Sequence, residues 1–317
     1  MKKRFFSPRL VPFLLAFLLL ASCAPAQREA SFTVVCTTYP IYLFASAITE
    51  GVEGVAVERL DTGSTSCLHD YSLSMADMKK LERADVIAIN GAGLEEFLED
   101  ALETSDAQVI DCSLGVELLE NLSHHHDEDA EDHDGHDHGH WDPHYWMDPY
   151  RAIQMADNLA EGLSQADPEH QADYHSGYFT IWEMIQRCTN RTLGQWIYRQ
   201  YSVSGLITFH DGFQYFADFL GVPLVASIEE EAGSEASARE IVEITRLVKE
   251  YGIPVIFTEV NGSDATANAV ARETGCSVAE LTMIMDGPDD LETYYDGIVA
   301  NSDAIYREFI GGEETRR

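Results

Sequence analysis

The chain is short of positive charge. Its 317 residues include 20 lysines and arginines against 55 aspartates and glutamates, a formal net charge of −35. A field of that sign repels phosphate, so the composition argues against nucleic acid or an anionic lipid surface as a partner and favours a cation. The sequence also lacks an apolar run of the ~20 residues that a membrane-spanning helix needs, since Leu10–Leu20 has about half that length.

The only strongly basic stretch of the chain lies at the N-terminus. MKKR and the run Leu10–Leu20 lead into Leu20-Ala21-Ser22-Cys23, a pattern typical of an export signal. The last four residues resemble a bacterial lipobox, which implies cleavage before Cys23 and a lipid on its sulfur. We predict a signal peptide over 1–22, a lipidated cysteine and linker over 23–30, and a mature protein anchored by lipid to the extracytoplasmic face of the cell membrane.

The cysteines of the chain do not indicate a defined set of disulfides or a cysteine zinc site. Besides Cys23, five cysteines remain after residue 22, an odd number whose spacing matches no zinc-ribbon pattern. We interpret them as core residues or as one or two disulfides, because an extracytoplasmic protein can be oxidised. The pair Cys36 and Cys67, each following a predicted strand, is the one that the sequence suggests.

Apolar runs alternate with helical patterns in two series along the chain, which predicts two similar α/β lobes with mainly parallel sheets. The first lobe spans 31–166 and the second 201–317. The predicted strands are Phe32–Thr37, Val55–Leu60, Asp85–Asn90, Val109–Asp111, Leu206–Phe209, Leu224–Ala226, Val255–Glu259 and Val278–Leu281. Between the lobes, within 167–200, apolar residues at helical spacing predict one long connecting helix over Pro168–Trp196 that joins them.

Histidine is concentrated in one tract. Residues His124–His140 hold seven histidines and seven acidic residues in 17 positions. Such a segment cannot bury enough apolar surface to order itself, so we predict a mobile loop that binds zinc weakly, the alternative being a solvated acidic loop. His144 differs, because the aromatic and proline residues around it (Trp141–Pro149) favour an ordered ligand, although a packed loop histidine is the alternative.

The chain resembles the metal-binding lipoproteins that supply zinc or manganese to bacterial ABC importers, the cluster A-I solute-binding proteins. The resemblance covers almost the whole mature chain. Its motifs are Thr38-Tyr39-Pro40-Ile41, Leu68-His69-Asp70-Tyr71, Ala84-Asp85-Val86-Ile87 with Asn90-Gly91 and Leu94-Glu95, Asp142-Pro143-His144-Tyr145-Trp146-Met147-Asp148-Pro149, and Phe209-His210-Asp211-Gly212-Phe213.

The resemblance implies that the metal ligands are His69, His144, His210 and Asp286. Each follows a predicted strand or opens a helix where facing lobes would meet, and three imidazoles with one carboxylate suit Zn²⁺ better than Mn²⁺. Glu259 is the rival for the fourth position. The family usually has proline before its first histidine, whereas Leu68 stands here, and Cys67 could join the site. His170 and His175 are expected to be surface residues.

The resemblance therefore predicts a monomeric protein that captures Zn²⁺, or alternatively Mn²⁺, between two lobes and passes it to a membrane ABC permease. No catalysis is expected. A cell-surface zinc hydrolase is a rival, but the sequence has neither a His-Glu-x-x-His helix nor a Gly-x-Ser-x-Gly elbow, and Asp286 would occupy the place of a catalytic water. A surface adhesin with structural zinc is a third interpretation.

Overall fold

The architecture was established from a computed structural model of the chain. The structure describes residues 31–62, 71–122, 140–197, 203–227, 238–260, 262 and 264–311. The predicted signal peptide, Cys23, His69 with its neighbours Cys67 and Leu68, and the histidine tract except His140 lie outside the described residues.

The first lobe contains a four-stranded parallel sheet in the order β2-β1-β3-β4. Its strands are β1 (Phe32–Cys36), β2 (Val55–Arg59), β3 (Val86–Ile89) and β4 (Gln108–Asp111). The central strands read as continuous apolar runs because helices cover both faces of a parallel sheet. Val34, Val35 and Cys36 of β1 are accordingly fully buried.

The second lobe repeats this topology. Its four parallel strands lie in the order β6-β5-β7-β8, with bounds β5 (Leu206–Thr208), β6 (Leu224–Ser227), β7 (Val255–Glu259) and β8 (Ser277–Leu281). The prediction of two similar α/β lobes is confirmed. In each sheet the strand order reverses beside the first strand, at β1/β3 and at β5/β7, which creates the crevice where open α/β sheets bind ligands.

Nine α-helices lie in the described part of the chain: α1 (Tyr39–Ile48), α2 (Met75–Glu82), α3 (Glu99–Glu103), α4 (Pro149–Ala166), α5 (Gln171–Ile197), α6 (Gln214–Leu220), α7 (Ala238–Tyr251), α8 (Ala265–Thr274) and α9 (Glu292–Tyr306). Short 3₁₀ turns occupy Glu96–Leu98, Tyr145–Met147, Pro168–His170 and Asp211–Phe213, and a π-helical turn Arg307–Gly311. No helix in the described ranges is long and apolar enough to cross a bilayer.

The long connecting helix is confirmed as α5, preceded by the turn Pro168–His170. It packs against α1 and α4 on one side and against α9 of the second lobe on the other. Because α5 is continuous over 27 residues, it fixes the two sheets to one stiff element. Tyr174, Ile181 and Ile185 on its apolar stripe are fully buried.

Helix α4, which runs for 18 residues directly after the His144 motif, is not among the predicted elements. Its start carries the expected signals, because the Asp148 side chain accepts a hydrogen bond from the backbone N–H of Tyr150 and Pro149 takes the first turn. The buried face includes three alanines, Ala152, Ala156 and Ala160. The same face carries Met155, Leu159 and Leu163 at helical spacing, so the helical period is also present in the sequence.

The capping box at the start of α2 has a second role. Ser74 and Asp77 cap the helix reciprocally. The buried Asp77 carboxylate also accepts the backbone N–H of Asp61 at 2.9 Å and the hydroxyl of Tyr71 at 2.6 Å. Asp77 thus ties together the chain on both sides of residues 63–70.

The suggested pair Cys36–Cys67 is not formed. Cys36 is a free thiol, buried at the end of β1, and Cys67 lies outside the described residues. Burial raises the pKa of the Cys36 thiol far above its usual value. The side chain points into the apolar core of the first lobe, where it serves as a core residue.

Candidate metal centre

His144 lies in a buried turn that is docked onto the crevice of the first lobe. Asn90, which follows β3, donates from Nδ2 to the carbonyl of Pro143 at 3.0 Å, and its own carbonyl accepts the hydroxyl of Tyr145 at 2.6 Å. His144 itself is 3% exposed. The imidazole is therefore held in one place by a packed scaffold, as a preorganised ligand requires.

Beneath this turn, a buried carboxylate fixes the loop after β3. Glu95 accepts hydrogen bonds from the backbone N–H groups of Asn90 and Gly91 and from the hydroxyl of Thr37. Burial raises the pKa of Glu95 to about 7, even though these three donors favour its ionised form. The network joins the ends of β1 and β3, the edge on which the His144 turn rests.

Asp142 orients the imidazole of His144. Its Oδ1 accepts the backbone N–H of His144 at 2.9 Å and lies 2.8 Å from the ring Nδ1. A proton on Nδ1 leaves the lone pair of Nε2 free for a metal, the arrangement by which a carboxylate fixes the tautomer of a ligating histidine. Sequence reasoning named Asp142 within the motif but gave it no role, although its position two residues before the histidine was the available signal.

The charges around His144 also favour a proton on it. Burial lowers the pKa of His144, but the hydrogen bond and charge of Asp142, together with the charges of Asp211 and Glu259, outweigh burial and raise the pKa above its usual value. The same negative potential favours a bound cation. A metal ion and protons therefore compete for this imidazole.

His210 approaches from the second lobe. It follows β5 and immediately precedes the turn Asp211–Phe213, and the hydroxyl of Thr208 donates to its carbonyl at 2.8 Å. The rings of His210 and His144 are 5.3 Å apart between centroids and cross at 79°. The structure thus brings together two of the sequence-predicted ligands, one from each lobe.

Two carboxylates accompany His210. His144, His210 and Asp211 each offer a ligand atom, and these atoms all lie within 4.8 Å of one another. Glu259, at the end of β7, has Oε2 3.9 Å from Nδ1 of His210. Ligands of one tetrahedral zinc at ~2.0–2.1 Å lie ~3.4 Å apart, so small side-chain rotations would complete a site here. Sequence reasoning missed Asp211, although it follows His210 directly.

Of the other two predicted ligands, Asp286 and His69, the structure describes only Asp286. Asp286 is described but exposed, and it does not belong to the group with ligand atoms within 4.8 Å. It follows β8 and lies near Tyr39, whose pKa is raised mainly by burial and in part by the charge of Asp286. His69 lies outside the described residues. Both assignments stay predictions.

The remaining described histidines stand apart from the centre. His170 contacts Asp167 at 2.6 Å at the entrance to α5, and His175 is half-buried on the same helix. His140, the last residue of the tract, packs edge-on against Trp141 with 4.5 Å between ring centroids. None of the three belongs to the His144–His210 group.

A family model described as the periplasmic component A of zinc-uptake complexes matches residues 34–308. The zinc-binding protein AdcA of Streptococcus pyogenes is 28% identical over 275 residues, which is 83% of this chain and 52% of that protein. The high-affinity zinc uptake system protein ZnuA of Brucella abortus is 26% identical over 313 residues, covering 87% of this chain and 92% of that protein. The chain thus spans about half the length of AdcA.

Solved structures agree on the fold. The solute-binding protein FpvC of Pseudomonas aeruginosa, in complex with Ni²⁺, has a TM-score of 0.74 at 20% identity, covering 89% of this chain and 97% of that chain. The laminin-binding protein Lmb of Streptococcus agalactiae, described as a bifunctional adhesin and metal transporter, has a TM-score of 0.72 at 25% identity, covering 88% of this chain and 100% of that chain.

Proposed function

The chain belongs to the family of periplasmic zinc-uptake component A proteins, and from that premise we propose that it is a lipid-anchored, extracytoplasmic binding protein that captures Zn²⁺ between its lobes and delivers it to a membrane ABC importer. The observation that carries the proposal is the meeting of His144 and His210 across the two lobes. Its relatives and fold neighbours are metal-binding proteins of solute uptake, not enzymes, so the hydrolase alternative is wrong.

The proposed ligand set is His144, His210, His69 and Asp286. His144 and His210 supply imidazole nitrogens, which suit zinc, and a third histidine would strengthen that preference. A manganese site would be richer in oxygen ligands. Asp211 and Glu259 lie close enough to His210 to compete with Asp286 for the fourth position.

Delivery to an importer requires that the ion be released without unfolding the protein. A large apolar core runs through both lobes and each lobe has a further apolar cluster of its own, so the fold does not depend on the ion as a small zinc domain does. Reversible removal of zinc by a chelator, with the fold retained, supports transport. Unfolding on chelation would instead indicate structural zinc, as expected for the adhesin interpretation.

The test is a competition titration of zinc and manganese on the mature chain, residues 23–317. One tight zinc site is expected. His144→Ala and His210→Ala should each abolish tight binding, because each removes a metal bond. His170→Ala, in the turn before α5, and His175→Ala, on α5, are the matched controls and should bind zinc like the parent. Equal losses in all four variants would refute the proposed centre.

A further inference from the structure

The segment of residues 283–288, which we call the cleft segment, is tied to the first lobe at both of its ends. The indole Nε1 of Trp146 donates to the carbonyl of Met283 at 2.9 Å. The hydroxyl of Tyr39 donates to the carbonyl of Pro288 at 2.5 Å. Both aromatic side chains are fully buried. Two inter-lobe hydrogen bonds therefore bracket the cleft segment.

The backbone between these bonds is held in an unusual conformation. Ile284 has φ 58°, a value that a β-branched residue rarely adopts, and it is buried. Its side chain lies against Gly297 of α9, where an added Cβ would come within 2.7 Å. Gly287 has φ 148° and backs onto Tyr39, where an added Cβ would lie 3.1 Å from the hydroxyl. Strain of this kind persists only where the surroundings fix the chain.

The cleft segment packs close to His210, and Trp146, which bonds Met283, packs against His144. A Cβ on Gly212 would lie 2.1 Å from the terminal carbon of Met283 and 3.0 Å from the ring of His210, so these groups are packed together. At the other side, the ring of Trp146 lies 5.3 Å from that of His144. Movement of the segment and movement of the ligands are therefore mechanically linked.

We propose that Tyr39 and Trp146 are positioning residues that set the place of Asp286 relative to His144 and His210, and so determine how strongly the centre holds oxygen-preferring ions. The inference rests on the proposed function, in which Asp286 is a ligand. Asp286 lies on the cleft segment between the two bonds. Loss of either bond frees one end of the segment and leaves its carboxylate less well placed.

The main test variant is Tyr39→Phe, which removes the donor to Pro288 and keeps the ring. The matched control is Tyr174→Phe. It removes the hydroxyl of a buried tyrosine on α5, which donates to Asp167, a residue outside the candidate metal centre. A second variant, Trp146→Phe, removes the other donor and serves if Tyr39→Phe does not fold. Zinc and manganese affinities are measured by competition titration, with thermal unfolding as a check.

Tyr39→Phe should weaken zinc roughly threefold to tenfold, the range of one net hydrogen bond. It should weaken manganese more, because manganese depends on oxygen ligands. Tyr174→Phe should leave both affinities unchanged. A purely structural role for Tyr39 would lower the unfolding temperature without altering the ratio of the two affinities.

Combination with Asp286→Ala separates the outcomes. If Tyr39 acts through Asp286, Tyr39→Phe should have no further effect in the Asp286→Ala background. Additive losses would overturn the positioning role and leave Asp286 a ligand, as would a Tyr39→Phe variant that binds both ions like the parent. If Asp286→Ala alone binds both ions like the parent, the ligand assignment is wrong and the positioning role is overturned with it.

Discussion

Replacement of Asp142 by asparagine tests whether an orienting carboxylate sets zinc affinity. Asp142 Oδ1 accepts from the backbone N–H of His144 and lies 2.8 Å from its Nδ1. Asparagine has the same shape and keeps an oxygen that can accept both bonds. Asp142→Asn therefore removes the charge while leaving the geometry nearly intact.

The size of the effect follows from the bond to Nδ1. A hydrogen bond to a charged acceptor contributes ~1.5–3 kcal/mol net, against ~0.5–1.5 kcal/mol for a neutral one. The exchange therefore weakens the hydrogen bond to Nδ1 by about 1.4 kcal/mol. The imidazole becomes a less basic ligand, and zinc affinity should fall about tenfold. Asp142→Ala should cost more, because it leaves the buried N–H of His144 without its acceptor.

Affinity is measured by competition titration at pH 6 and pH 8. Asp142 raises the pKa of His144, so the parent loses more of its affinity to protons as the pH falls through that pKa. Asp142→Asn lowers the pKa of His144 and suffers less from this competition. The tenfold loss should therefore be fully seen at pH 8 and should shrink at pH 6.

Asp148→Asn is the matched control. Asp148 is a buried carboxylate in the same motif, but it caps α4 and pairs with Arg151 without contacting His144. It should lower stability by about 1 kcal/mol and leave zinc affinity within twofold. If Asp142→Asn bound zinc like the parent at pH 8 while remaining folded, the carboxylate would have no orienting role.

Three further outcomes are expected. Deletion of His124–His140 should leave one tight zinc site and remove only weak sites, as counted by titration; loss of the tight site would contradict the distinction between His144 and the tract. Asp77→Asn should lower the free energy of unfolding by about 2 kcal/mol at pH 7. Burial raises the pKa of Asp77, but its hydrogen bonds outweigh burial and lower the pKa to about 2. In denaturant titrations, the difference between Asp77→Asn and the parent should vanish as the pH falls from about 4 to about 2. Burial raises the pKa of Glu95 to about 7, so the parent should lose up to about 3 kcal/mol of its free energy of unfolding as the pH rises from about 4.5 to 7. Glu95→Gln should show no such dependence of stability on pH, and an equal dependence in both proteins would refute the prediction.

Most of the fold is predictable from the sequence because its strands are apolar runs with clear ends. The bounds predicted for Val255–Glu259 agree with β7 residue for residue. Helix α4 was also predictable. Its capping residues Asp148 and Pro149 and the apolar residues of its buried face, Met155, Leu159 and Leu163, all have the spacing of a helix in the sequence.

Some features of the candidate site could likewise be predicted from the sequence, and others could not. His144 and His210 could be predicted because each stands in a motif next to an identifiable strand or turn. The sequence names Glu259 as a rival ligand but does not show that it lies beside His210, since that proximity depends on how the ends of β5 and β7 are aligned. Nor could sequence reasoning identify the bonds from Tyr39 and Trp146 to the cleft segment, because those bonds join residues 249 and 137 positions apart.

An ion that is cargo must be held firmly and then given up, and the two sides of this centre differ in a way that suits both needs. His144 is buried, tied to the sheet of the first lobe and oriented by Asp142. Asp286 is exposed on a segment held by two hydrogen bonds, each worth about 1 kcal/mol net. Parting the segment from the first lobe breaks those two bonds, whereas freeing His144 disrupts the hydrogen bonds of its own turn to Asn90 and Asp142. On the proposed function, we therefore expect release to begin at the cleft segment and His144 to be the last ligand to lose the ion.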